Sequence, residues 1–349
     1  MGGRRVYNGF GPAAIVRFAG RFRLGLEILG LLVLARVAPG IGVAAGGVLP
    51  LKHVAIVTIF VLTGLTVGTA QLGREIRNWP LHLGVQLTTF VVYPLVFAVV
   101  HVPFDGVADG QITLGLYLLA ALPTTISSCV VLTSLAGGNR EGALFNAVGG
   151  NLAGIVLSPL VFLFLIRAGD VTLEFDRASV ALRIAGLVLL PFAVGHVLRL
   201  WLAGITDRHR ALLRRVNTGA ILLIVYLALC GAFGRDTGSV SLTVLGALAG
   251  GGALIYGAMA SLLWVLGGVL PFAREDRIAL LFAGSQKTLA FGLPLVLAFC
   301  EQVPGISPEI VALPMIVFHP VELLIASFMV DALRHSEPPY GAEKSGAPV

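Results

Sequence analysis

Apolar residues run through this chain in long blocks, and no stretch keeps up a period of two. Ten blocks can be marked between short segments rich in Arg, Gly, Pro and Asp: 24–44, 54–71, 81–101, 112–135, 141–166, 178–201, 217–234, 241–270, 277–300 and 310–331. Apolar runs of about 18 residues or more read as transmembrane helices. Backbone groups in lipid must be satisfied within the segment, which makes the blocks helices. The dominance of Leu and Ala, with no sustained alternation, excludes a membrane β-barrel. The expected fold class is an all-α polytopic membrane protein with ten transmembrane helices.

Composition strengthens this picture. Of 349 residues 57% are hydrophobic and only 12% charged, with a mean hydropathy of +0.93; a soluble domain carries about 25% charged residues. The net charge of +6 could point to nucleic acid, but the basic residues sit in short loops and form no face interleaved with aromatics. With the N-terminus placed in the cytoplasm, 17 Lys and Arg fall on the inner side, 6 on the outer side, and Lys287 lies within a span. That bias puts both termini in the cytoplasm, and the expected location is the inner (cytoplasmic) membrane of a bacterium. The arginines at 4, 5, 17, 21 and 23 precede the first apolar run and no cleavage site follows, so the first run reads as a retained span. Cys129, Cys230 and Cys300 are far apart and inside apolar runs, which indicates neither a zinc site nor disulfides.

The expected organisation is a cytoplasmic segment 1–23, a five-helix repeat 24–166, an extracytoplasmic loop 167–177, a second repeat 178–331 and a cytoplasmic tail 332–349. A long loop at 202–216 is expected after the sixth span. An odd number of spans per half gives the two halves opposite orientation, the arrangement of inverted repeats in secondary transporters. Corresponding spans should then be interrupted in both halves. The fourth span carries Leu122-Pro123-Thr124-Thr125-Ile126-Ser127-Ser128, and the ninth carries Ala283-Gly284-Ser285-Gln286-Lys287-Thr288. Pro123 removes a backbone donor, Gly284 loosens the helix, and hydroxyls can bond freed carbonyls. Crossing broken helices 4 and 9 would aim helix ends at one place and create an ion or anion site.

Lys287 is the most informative residue. It lies about 16 Å from either surface at 1.5 Å per helical residue, too deep for its stem to snorkel. An uncompensated ammonium there costs at least ~2.5–3.5 kcal/mol, so it must meet a polar cavity, a carboxylate or carbonyls, or else lose its proton. Glu322 is the candidate partner; it shares a helix face with His319 at i, i+3. Two such ligands make no zinc site, and no metal is expected. Glu27 reads as an interfacial charge. Asn146, Asn151, Gln86, Thr88 and Thr89 are candidate cavity residues, although such a residue is more often an interhelical hydrogen bond than a ligand. The substrate- or ion-binding set is therefore Thr124, Thr125, Ser127, Ser128, Asn146, Asn151, Ser285, Gln286, Lys287, Thr288, His319 and Glu322, with Pro123 and Gly284 as structural breaks.

The pairs Gly150/Gly154, Gly64/Gly68 and Gly246/Gly250 have the small-xxx-small spacing of close helix packing. No Walker, G-x-S-x-G, H-E-x-x-H or G-x-G-x-x-G motif is present, which argues against ATP-driven transport and against an enzyme.

The run PTTISSCVVLTSLAGGNREGALFNAVGGNLAGIVLSP, with GSQKTLAFGLP and FHPVELLIASF, resembles the bile acid:sodium symporter superfamily, and within it the SBF-like branch. The resemblance implies ten helices in two inverted repeats, a panel and a core domain, and fourth and ninth helices crossing at unwound centres. It also implies two sodium ions at the crossover, but here Phe282 stands where a liganding glutamate is expected and Cys129 where an asparagine is. Ala143 and Ala147 stand where downstream hydroxyls are. A hard cation needs several oxygens. The expectation is therefore no cofactor, with sodium disfavoured though left open, and Lys287 in sodium's electrostatic role, which makes transport sodium-independent or proton-coupled. The leading function is secondary-active transport of a small organic anion, a bile-acid-like molecule or another carboxylate or sulfonate. The alternatives are a cation/proton antiporter and a non-transporting membrane regulator of the same fold. Expected partners are a small-molecule substrate and the lipid bilayer, and no nucleic acid.

Overall fold

The computed structural model describes residues 22–47, 51–66, 75–100, 110–169, 177–234 and 240–335. Most of the expected terminal segments 1–23 and 332–349, much of the loop 167–177, and Gly68 lie outside the described residues. All regular structure among the described residues is helical. The helices are α1 (Arg23–Val37), α2 (Pro39–Gly47), α3 (Leu51–Thr66), α4 (Trp79–Val100), α5 (Gln111–Ala121), α6 (Ser127–Leu135) and α7 (Arg140–Ala168). They continue with α8 (Arg177–Arg208), α9 (Arg210–Gly234), α10 (Leu242–Val269), α11 (Arg274–Ser285), α12 (Leu289–Cys300) and α13 (Pro308–His335).

Among the described residues seven helical stretches are long and apolar enough to cross a membrane, and eight if α1 and α2, bent by 96° at Ala38, are one crossing. The chain is a polytopic integral membrane protein. The bend falls at an X-Pro step, since Pro39 drives its predecessor out of the helical region. Local chemistry fixes other boundaries. Asn139 caps α7 through Oδ1, which accepts the Gly142 amide at 2.8 Å, and Ser241 caps α10 by accepting the Val244 amide at 3.2 Å. Each satisfies one of the donors that a helix start leaves open.

The loop expected at 202–216 is corrected. α8 runs to Arg208 and α9 starts at Arg210, with His209 alone between them. The arginines that suggest a loop are strong helix formers, and the helices keep their hydrogen bonds where they carry charge.

Packing gathers most of the helices into two groups, joined where α13 packs on α1 and α9 and where α8 packs on α7 and α12. α3 lies along α8, and α9 packs on α1, α2 and α3; the other group joins α5, α7, α10, α11, α12 and α13. In the first group backbones touch. A Cβ on Gly64 would sit 2.2 Å from the Phe192 carbonyl oxygen, and one on Gly195 would sit 2.1 Å from that of Val61. Gly154 fits against the Pro123 ring and Gly150 against the Gln86 amide, at 3.0 and 3.1 Å from where a Cβ would be. The third glycine pair is a correction: among the described residues nothing lies within 4 Å of the Cβ positions of Gly246 and Gly250, so they seat no described helix. The stretch from α11 to α12 is the most enclosed, with 94% of its apolar window buried against 22% for α8.

Candidate functional site at the meeting of helix ends

α5 stops at Ala121, Leu122 is extended (φ −71°, ψ 145°), and α6 starts at Ser127. α11 stops at Ser285, Gln286 and Thr288 are extended, and α12 starts at Leu289. The two non-helical segments touch: the Thr288 amide donates to the Pro123 carbonyl at 2.9 Å. Four helix ends thus meet. The C-terminal ends of α5 and α11 bring partial negative charge, and the N-terminal ends of α6 and α12 bring partial positive charge. Neither Ile126 before α6 nor Thr288 before α12 caps its helix with a side chain.

Lys287 is buried at this junction. Its ammonium donates to the carbonyls of Leu122 at 2.8 Å, Ala120 at 2.9 Å and Thr89 at 3.1 Å, and stands 4.1 Å from the centre of the Tyr93 ring. Ala120 and Leu122 end α5, where carbonyls have no amide to accept. The Thr89 carbonyl is freed differently. α4 contains a π turn, Thr88–Val92, in which the Tyr93 amide bonds to Thr88 one residue further back than in an α-helix. In that register the next amide belongs to residue 94, which is Pro94 and has no N–H. The ammonium takes the oxygen that the proline leaves. Single π turns recur at functional positions.

The pairing expected between Lys287 and Glu322 is different in kind. Glu322 Oε2 accepts the Lys287 backbone amide at 3.0 Å, and Glu322 Oε1 meets His319 Nδ1 at 2.6 Å. The carboxylate is thus occupied by its helix neighbour and a main-chain donor, while the ammonium is held by carbonyls.

Gln286 gathers the hydroxyls. Its Oε1 lies 2.7 Å from the Thr125 hydroxyl and 3.1 Å from that of Ser128; the two hydroxyls also touch each other, so their two protons serve three contacts, and Thr125 Oγ1 accepts the Cys129 amide at 3.2 Å. Ser285 accepts from Tyr93 through its carbonyl at 2.5 Å and donates to the Tyr256 hydroxyl at 3.3 Å. Asn151 donates to the Thr124 carbonyl at 2.8 Å. Asn146 stands apart, bonded to Gln86 and to its own helix at Gly142. Ser127 is exposed at the start of α6, on a face shared with exposed Val131 and Ser134. Thr88 bonds back to Gly84. Phe282, Cys129, Ala143 and Ala147, the positions where the resemblance expects sodium ligands, are all fully buried. Carbonyls are among the partners the sequence offers Lys287, but which three, and the roles of Tyr93 and Tyr256, are not legible there; Pro94 is the available signal for the third oxygen.

A polytopic helical membrane protein with a buried charged cluster where four helix ends converge is the class this arrangement defines. The chain belongs to the SBF-like CPA transporter family, whose profile it matches over residues 23–335. It is similar to the uncharacterized protein PA2026 of Pseudomonas aeruginosa, 30% identical over 88% of this chain and 91% of that one. It is also similar to sodium/bile acid cotransporter 7 of Danio rerio, 26% identical over 90% of this chain and 93% of the relative. Among solved structures, the sodium proton antiporter MjNhaP1 of Methanocaldococcus jannaschii shares the fold with a TM-score of 0.50 and 14% identity, over 92% of this chain and 99% of that one. The family and the Danio rerio relative are transporters rather than enzymes, and the chain is a membrane transporter.

Proposed function

We propose that the chain is a secondary-active transporter for a small organic anion, bile-acid-like or another carboxylate or sulfonate, that works by alternating access with Lys287 in place of a coupling cation. The observation that carries this reading is the cage of three carbonyls around the Lys287 ammonium. Half-helix C-termini and unwound carbonyls are the groups that hold sodium in transporters with discontinuous helices, and half-helix N-termini face anionic substrates. Here the first role is filled by a tethered charge. The N-terminus of α6, with Ser127 exposed and Ser128 half-buried in its first turn, is where this reading puts the anion. Burial of apolar side chains at Phe282, Cys129, Ala143 and Ala147 supports transport without sodium.

In this reading α1 with α2, and α5 with α6, each make one crossing, as do α11 with α12, giving ten crossings in two inverted five-helix repeats, 24–166 and 178–331. The group built on α3, α8 and α9 moves against the group that holds Lys287. The protein sits in a bacterial inner membrane with both termini in the cytoplasm, needs no cofactor, and has the bilayer and its small substrate as partners.

The test is uptake of a labelled organic-anion panel into proteoliposomes with and without an inward sodium gradient. Uptake indifferent to sodium and lost in Lys287→Ala is the expected result. Sodium-stimulated uptake by the unaltered protein would overturn the tethered-cation mechanism, and no uptake of any anion would favour a regulator or a cation antiporter.

A further inference from the structure

Hydrogen-bond stoichiometry divides the buried charges at the junction into one that is fixed and one that is not. Lys287 Nζ has three carbonyl partners, and a carbonyl can only accept. An ammonium has three N–H donors and fills all three bonds; a neutral amine has two hydrogens and would turn its lone pair towards a third oxygen. The cage therefore holds the charged form. The pair on α13 has no such constraint. Glu322 Oε1 and His319 Nδ1 share one proton across 2.6 Å, Glu322 Oε2 is held by the Lys287 amide, and His319 Nε2 is buried with no hydrogen-bond partner among the described residues. An imidazole that donates from Nδ1 keeps a lone pair at Nε2.

We propose that the His319–Glu322 pair is the proton site of this transporter: it binds one proton at His319 Nε2 together with the anion, and Lys287 stays charged throughout the cycle. This rests on the transport reading above and names its coupling ion. With Nε2 empty, the charges of Lys287 and Glu322 cancel. When water on one side delivers a proton to Nε2, the ring becomes an imidazolium whose Nδ1–H still donates to Glu322, and the junction gains a net charge of one. That charge favours an anion at the α6 N-terminus; release of the anion on the other side returns the proton to water. The pair and the ammonium are linked through the Lys287 main chain, so the fixed charge and the titrating one move as a unit.

The other titratable groups facing Glu322 are Tyr93 of α4, Tyr256 of α10 and Cys129 of α6. The remaining helices packed on α13 carry theirs elsewhere: Tyr117 of α5 lies against Gly169, Cys230 and Tyr226 of α9 against Gly42, and Cys300 of α12 beside Glu301 and Glu309. On α1, Arg23 pairs with Glu27 and Arg36 stacks on Phe233.

Two measurements test this. Histidine-ring ¹⁵N NMR of the purified full-length protein, from pH 5 to 9, should show one titrating ring signal that is missing in His319→Gln and displaced in Glu322→Gln. A His319 ring that keeps one neutral tautomer over that range overturns the proposal, and a protein whose other six histidines are replaced by Gln gives that signal unambiguously even where the His319 variant fails to fold. In proteoliposomes, an inward proton gradient should stimulate anion uptake, with apparent affinity falling up to tenfold per pH unit on the alkaline limb, as one linked proton requires. Gradient stimulation that persists in His319→Gln refutes the site. Absence of any anion uptake beside a titrating His319 ring leaves the proton site standing and removes the transport reading.

Discussion

The side-chain amide of Asn151 donates to the Thr124 carbonyl at 2.8 Å and to the Ala147 carbonyl of its own helix at 2.7 Å. One residue of α7 thereby ties the non-helical segment after α5 to a continuous helix, and supplies a donor where the backbone has none.

Asn151→Leu should leave the Thr124 carbonyl buried without a donor, which costs about 1–3 kcal/mol. A lower midpoint in thermal or denaturant unfolding of the detergent-solubilised protein is expected. Asn151→Gln, which keeps the amide, should recover part of it. Equal stability of the leucine variant would mean that the bond does not hold the segment.

Lys287→Ala should be strongly destabilised, since it leaves three inward carbonyls unfilled at about 1–3 kcal/mol each. It also empties a cage suited to a small monovalent cation. Unfolding temperature should rise in sodium relative to a choline buffer for the variant and stay level for the unaltered protein. A variant indifferent to sodium would show that the oxygens close up when the ammonium goes.

Gly64→Val and Gly195→Val should each prevent proper assembly, because the new side chain begins 2.2 and 2.1 Å from a backbone oxygen across the helix pair. Overpacking of well-filled sites costs about 1–3 kcal/mol and more where backbone must shift. Gly246→Ala and Gly250→Ala meet open space and should match the unaltered protein in monodispersity and unfolding midpoint.

At the start of α3, Lys52 bonds Glu309 of α13 at 3.1 Å and His53 approaches Glu301 at 3.0 Å. The Lys52 pair borders a small apolar recess lined by Ile224, Leu293 and Leu297, and the Glu309 side chain is only 9% exposed. Lys52→Ala removes one partner of that carboxylate and should lower the unfolding midpoint. Lys52→Ala with Glu309→Gln should lose less than Lys52→Ala alone. The exposed His53 pair should contribute about 0–1 kcal/mol, so that His53→Ala serves as the control in the same unfolding assay.

Parts of this arrangement can be read directly from the chain. A lysine inside an apolar run has no inexpensive place in a membrane, so Lys287 announces itself, and Pro123 stands where α5 has already ended. The spacing of His319 and Glu322 likewise puts them on one face. What holds Lys287 is hidden for a physical reason: its three partners are main-chain oxygens, and a carbonyl has no residue identity. Only Pro94 gave the third one away, and only once the π turn set the register. Glu322 looked like the ammonium's counter-ion because charge was the visible property; its hydrogen bonds went to an imidazole and an amide. The arginines near 208–215 misled in the opposite way, since polarity marks the end of the membrane and not the end of a helix. Glycine spacing was equally blind to what lies opposite: Gly64 meets a backbone and Gly246 meets nothing.

The bare contact between α3 and α8 has a mechanical consequence. Where side chains interdigitate, helices can slip by exchanging rotamers; at Gly64 and Gly195 no side chain is available to yield, and each backbone is keyed into the other. Near the other end of α3, Arg199 of α8 clasps the Leu65 carbonyl at 2.7 Å and Arg210 the Thr66 carbonyl at 3.3 Å. The pair is a laminate plank that resists shear along its length. A push received at Lys52 on one end is delivered at Arg199 on the other with little lost to bending between them.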